Sequence, residues 1–176
     1  TTAYNALDHA IATSISHGVV YVIAAGNDAV DVQTVTPAHV KEAITVASFY
    51  DHSANTNMFS EWSNFGADVD ILAPGNNIKS LDSESTAPLR MSGTSVAAPI
   101  VTGAAALFLS RNPSATPQHV LDKLLSDASA SELTVTGAPA GTVSASVWVG
   151  ETAGTDSGPS APDTDSGSGG GKGKKK

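Results

Sequence analysis

The alternation of apolar and polar positions divides this chain into a folded body and a tail. Tyr4, Leu7, Ala10, Ile11 and Ile15 recur at helical spacing, so residues 1–18 predict an amphipathic helix. His17 and Gly18 mark its end, since a histidine suits the negative helix pole and a glycine suits the left-handed cap. Val19 to Ala24 is an unbroken β-branched and aromatic run, the pattern of a strand covered on both faces in a parallel sheet. Gly26-Asn27-Asp28 breaks it. Ile44 to Ser48 and Val69 to Ala73 predict two more short strands, the second stopped by Pro74-Gly75. A long apolar helix is expected from about Ser95 to Ser110. A shorter one follows from Pro117 to about Asp127, with Thr116 as its cap and proline in first place. Alternating residues from Leu133 to Val149 suggest a terminal hairpin that turns at Gly137 to Gly141.

Helix, buried strands and helix in this order predict an α/β protein, a three-layer parallel sheet with helices on both faces. From Gly150 onward the chain is dominated by Gly, Ser, Asp, Thr and Pro and ends in lysines. That composition cannot bury a core. The expected organisation is therefore one domain over residues 1–149 and a flexible tail over 150–176. Composition refines this picture. A hydrophobic fraction of 40% supports a packed core, and the absence of cysteine excludes disulfides and thiolate metal sites. The net charge of -8 lies entirely before residue 151, where five basic side chains face thirteen acidic ones. An acidic surface argues against nucleic acid and anionic membrane as partners. The longest apolar stretch, Val96 to Leu109, is interrupted by Pro99, Thr102 and Gly103 and falls short of the ~18 residues a membrane span needs.

Candidate chemistry concentrates in three places. Ser92-Gly93-Thr94-Ser95-Val96-Ala97-Ala98-Pro99 sets one serine among small residues at the start of an apolar helix. Free backbone N–H groups and the positive helix pole there suit a developing oxyanion, and Gly93 lets a substrate backbone approach. Pro99 has no N–H, so the Ser95 carbonyl loses its partner within the helix. A capping serine is the plainer alternative for so short a motif. Asn27 lies just past the end of the buried strand, on the sheet edge where active sites form, and its amide offers two donors. An ordinary Asn-Asp turn is the alternative. Asp68 and Asp70 stand two apart, so a strand would project both to one face, where two carboxylates favour a cation. Solvated or hydrogen-bonded aspartates are the other possibility.

Taken whole, the string around Ser95 resembles the nucleophile signature of subtilisin-like serine proteases, usually Gly-Thr-Ser-Met-Ala-(Ala/Ser/Thr)-Pro. Val96 and Ile100 depart from it, where Met and His are usual. Ala24-Ala25-Gly26-Asn27 resembles the family's oxyanion-hole strand end, 68 residues before Ser95. The resemblance covers residues 1 to about 149 and makes Ser95 the nucleophile, with Asn27 and the Ser95 amide sharing the oxyanion. Thr36-Pro37-Ala38 resembles the floor of the pocket for the residue before the scissile bond, which implies a cis Thr36–Pro37 peptide. Val35 then sits near that floor, Ala24, Ala25 and Gly26 form a wall, and Gly93 and Thr94 line the substrate. No acid lies at these positions, so an apolar substrate residue is expected. Gly66 to Gly75 matches the strand and loop before the nucleophile. Some relatives bind a structural Ca²⁺ or Na⁺ there, which would place carbonyls of Ala38, Val40 and Ala43 beside Asp68 and Asp70. No cofactor is needed for the chemistry itself. Gly141-Thr142-Val143 resembles the closing strand of the domain.

The family's Asp-(Ser/Thr)-Gly, His-Gly-Thr-His and Ser-Leu-Gly motifs are absent from the chain. Of the five histidines only His17, before Gly18, superficially resembles a base. The expectation is a domain lacking its N-terminal strands. Such a chain would be inactive and poorly stable alone, within a secreted, monomeric serine endopeptidase that acts on proteins or peptides. A relative that has lost its base and serves as a binding or structural module is the competing reading. An unrelated α/β binding domain with coincidental motifs is a third.

Overall fold

The structure is a computed structural model and describes residues 3–53, 56–82, 87–131 and 133–150. Helix α1 (Ala6–Ser16) begins at Asn5, whose side chain accepts from the Leu7 and Asp8 amides while Asp8 reaches back to the Asn5 amide. This reciprocal capping box satisfies N–H groups that a helix start otherwise leaves unpaired. Strand β1 (Val22–Ala24) follows, shorter than the apolar run predicted for it. A single 3₁₀ turn (Val32–Thr34) leads to the Thr36–Pro37 bond, which is cis. Strand β2 (Ile44–Ser53) is the longest in the molecule among the described residues. Next come β3 (Thr56–Phe59), β4 (Ile71–Pro74), β5 (Ile78–Ser80) and β6 (Leu89–Met91). Helix α2 (Thr94–Arg111), helix α3 (Pro117–Ala130) and strand β7 (Thr134–Thr136) complete the order.

The sheet is mixed rather than purely parallel. β1 and β4 flank β2 and run parallel to it, in the registers Val22↔Ile44 and Val46↔Ile71. β2 then outruns the predicted strand and pairs antiparallel with β3, and β3 pairs parallel with β7. The predicted terminal hairpin does not form. β7 joins β3, whereas residues 145–147 lie beside β4, with the Leu72 amide bonded to the Ala145 carbonyl and the Val147 amide to the Leu72 carbonyl. Alternation reports which faces are covered and leaves the pairing partner open. The segment 141–143 is not a strand; Thr142 instead accepts a hydrogen bond from the Gly66 amide at 3.0 Å.

Helices cover both faces. Ile44, Val46, Ile71 and Ala73 pack against Ala97, Val101, Ala104 and Ala105 of α2 and Val120 and Leu124 of α3. On the opposite side Ile11 and Ile15 of α1 pack against Val40 and Ala43, with Tyr21 and Ile23 beside them. A third apolar cluster joins Ala47, Phe49 and Leu72 to Val32, Phe59 and Val135. α2 has 18 residues and a mean hydropathy of 1.3, enough to cross a membrane by length and composition, but one face is committed to the sheet. The tail assigned to residues 150–176 lies, beyond Gly150, outside the described residues.

Candidate active site

Two chain segments converge at the C-terminal ends of β1 and β4. The first leaves β1 through Ala25 and Gly26 to Asn27. The second leaves β4 at Pro74-Gly75 and returns at Gly93, whose amide donates to the Gly75 carbonyl at 2.8 Å. This close backbone docking leaves no room at Gly75, where a Cβ would meet Ser48 Oγ at 2.3 Å. Gly93 forms the entrance to α2 with φ 149°, a conformation open to glycine and costly to other residues. A Cβ there would stand 3.7 Å from both Asn27 Nδ2 and the Ser95 amide nitrogen. Gly93 therefore lies between the two groups expected to bind an oxyanion.

Ser95 is exposed in the first turn of α2. Among the described residues its amide and hydroxyl have no hydrogen-bond partner, which leaves both available at the positive helix pole. Asn27 is exposed as well, yet its carboxamide is oriented. Its Oδ1 accepts from the Thr94 amide at 2.8 Å and from Thr94 Oγ1 at 3.0 Å. Thr94 Oγ1 in turn accepts from the Gly26 amide at 3.1 Å. With Oδ1 occupied, Nδ2 is the end left to donate. Thr94 is fully buried, so its side chain supports the site from beneath and does not face a substrate.

The remaining candidates occupy less direct places. Ala25 is fully buried and packs in one apolar cluster with Val35, while Ala24 belongs to the cluster on the α2 side. Asp70 Oδ2 accepts from the Thr45 amide at 2.7 Å, and Thr45 Oγ1 donates to the Ala38 carbonyl at 2.8 Å, so Thr45 brings these two predicted ligands together. The Val40 carbonyl accepts from the Ala43 amide. Asp68 Oδ2 is buried without a partner among the described residues. Burial, together with the Asp68 charge and against the Thr45 hydrogen bond, pushes Asp70 up to about 6. An orphaned carboxylate oxygen and a neighbouring carboxyl that resists ionisation fit a site completed by a cation. However, no group of three or more His, Asp or Glu side chains lies together among the described residues.

No described histidine bonds to Ser95. His17 Nδ1 lies 2.8 Å from the Thr13 carbonyl of its own helix, and His9 stands edge-on to Tyr4. His39 is paired with an aspartate, Nε2 to Asp8 Oδ2 at 3.0 Å, but both are fully buried beneath α1. Burial would raise the Asp8 carboxyl, but the Asn5 amide, His39 and Thr36 hold it below its ordinary value. This His–Asp pair is a structural feature of the core.

Sequence reasoning missed Asn64. It is fully buried, and its side chain and amide are bonded to the backbone on both sides of Asn27. The only available signal was a cluster of small polar residues, Ser60, Ser63 and Asn64, in a stretch with no apolar period.

Comparison with known proteins points to one family. The sequence pattern of the subtilase family matches residues 1–169. The chain is 45% identical over 124 residues to an extracellular serine proteinase of Thermus sp. (strain Rt41A), covering 70% of this chain and 29% of that protein. It is 39% identical over 131 residues to alkaline serine exoprotease A of Vibrio alginolyticus, covering 74% of this chain and 24% of that protein. Its fold is similar to the crystal structure of a cold adapted subtilisin-like serine proteinase, with a TM-score of 0.66, 38% identity, and coverage of 76% of this chain and 47% of the other. The chain thus spans about a quarter to a third of these two relatives and about half of the solved structure. By the match along nearly its whole length, and by the fold, this chain belongs to the subtilase family.

Proposed function

We propose that this chain supplies the nucleophile and the oxyanion site of a serine endopeptidase. The observation that carries the reading is the pairing of an unpartnered Ser95 hydroxyl with an Asn27 amide whose far end is pinned by Thr94. Ser95 Oγ attacks the peptide carbonyl, and its proton passes to a histidine base that lies outside these 176 residues, oriented by an aspartate also outside them. The carbonyl oxygen becomes an anion and is held by Asn27 Nδ2 and the Ser95 amide. The histidine then protonates the leaving amine, and water releases the acyl group from Ser95 by the reverse sequence. Val35 and the strand end Ala24 to Gly26 favour an apolar residue before the scissile bond, because no charged side chain stands among them. Secretion follows the same reading, in keeping with the extracellular proteinase of Thermus.

The experiment uses the protein as its gene encodes it. It should cleave peptides with an apolar residue at that position, a phosphonyl fluoride should label Ser95, and Ser95→Ala should abolish both. The 176-residue chain alone should give no turnover. A full protein that is inert and unlabelled would establish the non-catalytic relative instead.

Asp68 and Asp70, with the Ala38 carbonyl held near them by Thr45, are proposed to hold a weakly bound Ca²⁺ or Na⁺. Melting in calcium against melting in chelator tests this.

A further inference from the structure

We propose that Asn64 is the positioning residue of the oxyanion site, setting where Asn27 stands relative to Ser95. The inference rests on the peptidase reading above and concerns how that site is held. Asn27 lies on an exposed loop, and four hydrogen bonds tie the loop to Asn64. Asn64 Nδ2 donates to the Ala25 carbonyl at 2.8 Å, and the Asn64 amide donates to the Gly26 carbonyl at 2.9 Å. Asn64 Oδ1 accepts from the Asp28 amide at 3.0 Å and from the Val30 amide at 3.1 Å. The backbone is thus fixed at 25, 26, 28 and 30, with Asn27 bracketed between. Gly26 has φ 104° and sits so close that a Cβ would meet Asn64 Nδ2 at 2.3 Å.

The same residue reaches the second arm of the site. The Asn64 carbonyl accepts from Ser63 Oγ at 3.0 Å, and Ser63 Oγ accepts from the Ser48 amide at 3.0 Å. Ser48 Oγ is 2.9 Å from Ser60 Oγ and is the atom against which Gly75 packs. Gly75 then holds Gly93, the residue before Thr94 and Ser95. All four members of this polar cluster, Ser48, Ser60, Ser63 and Asn64, are fully buried. Buried, satisfied polar networks are rigid, because every alternative geometry strands a donor or acceptor out of water. Electrostatic stabilisation of an oxyanion depends on donors held in place before reaction, so a rigid mount for Asn27 acts on kcat rather than on substrate binding.

The test is a double-mutant cycle in the full protein. Asn64→Ala leaves the Ala25 carbonyl and the Asp28 and Val30 amides without their side-chain partner, so Asn64→Ser, which adds no charge and keeps a shorter group able to donate and accept, is made beside it. For both, we expect kcat to fall roughly 10- to 100-fold with KM within about twofold, short of the ~10²–10³ cost of deleting an oxyanion donor itself. In an Asn27→Ala background the same changes should cost under about twofold, because there is no longer an amide to position. Equal losses in both backgrounds would make Asn64 a residue of general stability and overturn the proposal, as would an unaffected kcat. Failure of the peptidase reading looks different, since the unsubstituted protein would then show neither turnover nor Ser95 labelling.

Discussion

At the scale of single residues, the groups proposed for the chemistry stand out in the sequence and the residues that hold them in place do not. Ser95 and Asn27 stand out because small residues and a strand end surround them, and local context is what sequence displays. Thr94 was expected to line the substrate, and it is instead fully buried beneath the site. Its buried hydroxyl accepts from Gly26 and donates to Asn27, a contact across 67 residues that no spacing rule anticipates. It follows that Thr94→Val, which keeps the shape and removes the hydroxyl, loosens the Asn27 carboxamide while the Thr94 amide still holds it. One hydrogen bond of this kind contributes about 1 kcal/mol. In the full protein kcat should therefore drop by roughly fivefold with little change in KM. Steady-state kinetics on one apolar peptide decides it, and an unchanged kcat would remove Thr94 from the oxyanion arm.

At the scale of elements, helix periodicity and capping chemistry carried well. α2 and α3 begin within a residue of the predicted positions, and Thr116 caps α3 by accepting from the His119 amide. Strand pairing carried poorly. Nothing local in Thr134–Thr136 says that it will join β3 rather than turn back on itself, and the β5–β6 ribbon lies in a segment without strong alternation. The approach to β4 holds a consequence that can be measured. Asp70 titrates at about 6 in the folded chain against 3.8 for the free side chain. A raised carboxyl contributes its stability fully below pH ~4, and that stability is lost as pH rises through about 6. The loss amounts to no more than about 3 kcal/mol. A cation bound by the ionised pair would restore part of it. In chelator the unfolding free energy should therefore fall between pH 4 and 7, calcium should reduce the fall, and Asp70→Asn should flatten it. An identical pH slope after the Asp70→Asn substitution would show that Asp70 is not the source. If neither calcium nor sodium has an effect at any pH, the cation site is wrong.

At the scale of the whole molecule, the apolar run from about Ser95 to Ser110 predicted a long helix, and the structure covers α2 on one side only. Ala97, Val101, Ala104 and Ala105 face the sheet, but Leu107 is 61% exposed and Ile100 36%. With Gly103, Pro74, Trp148 and Val149 they line an open apolar cleft of about 550 Å³. β1 adds to this: among the described residues it pairs only with β2, so its other edge carries unpaired backbone groups. Periodicity shows that a helix has an apolar face without saying whether this stretch of chain provides its cover. Exposed apolar patches and open strand edges both promote association between copies. The isolated chain should accordingly self-associate in a concentration-dependent way. Leu107→Gln sits in the exposed cleft, so it should raise the monomer fraction in light scattering without lowering helical content, since Leu107 takes no part in the buried core cluster. A parent chain that stays monomeric at high concentration would show that the open face is tolerated. A Leu107→Gln variant that unfolds would show that Leu107 is packed more tightly than its exposure indicates.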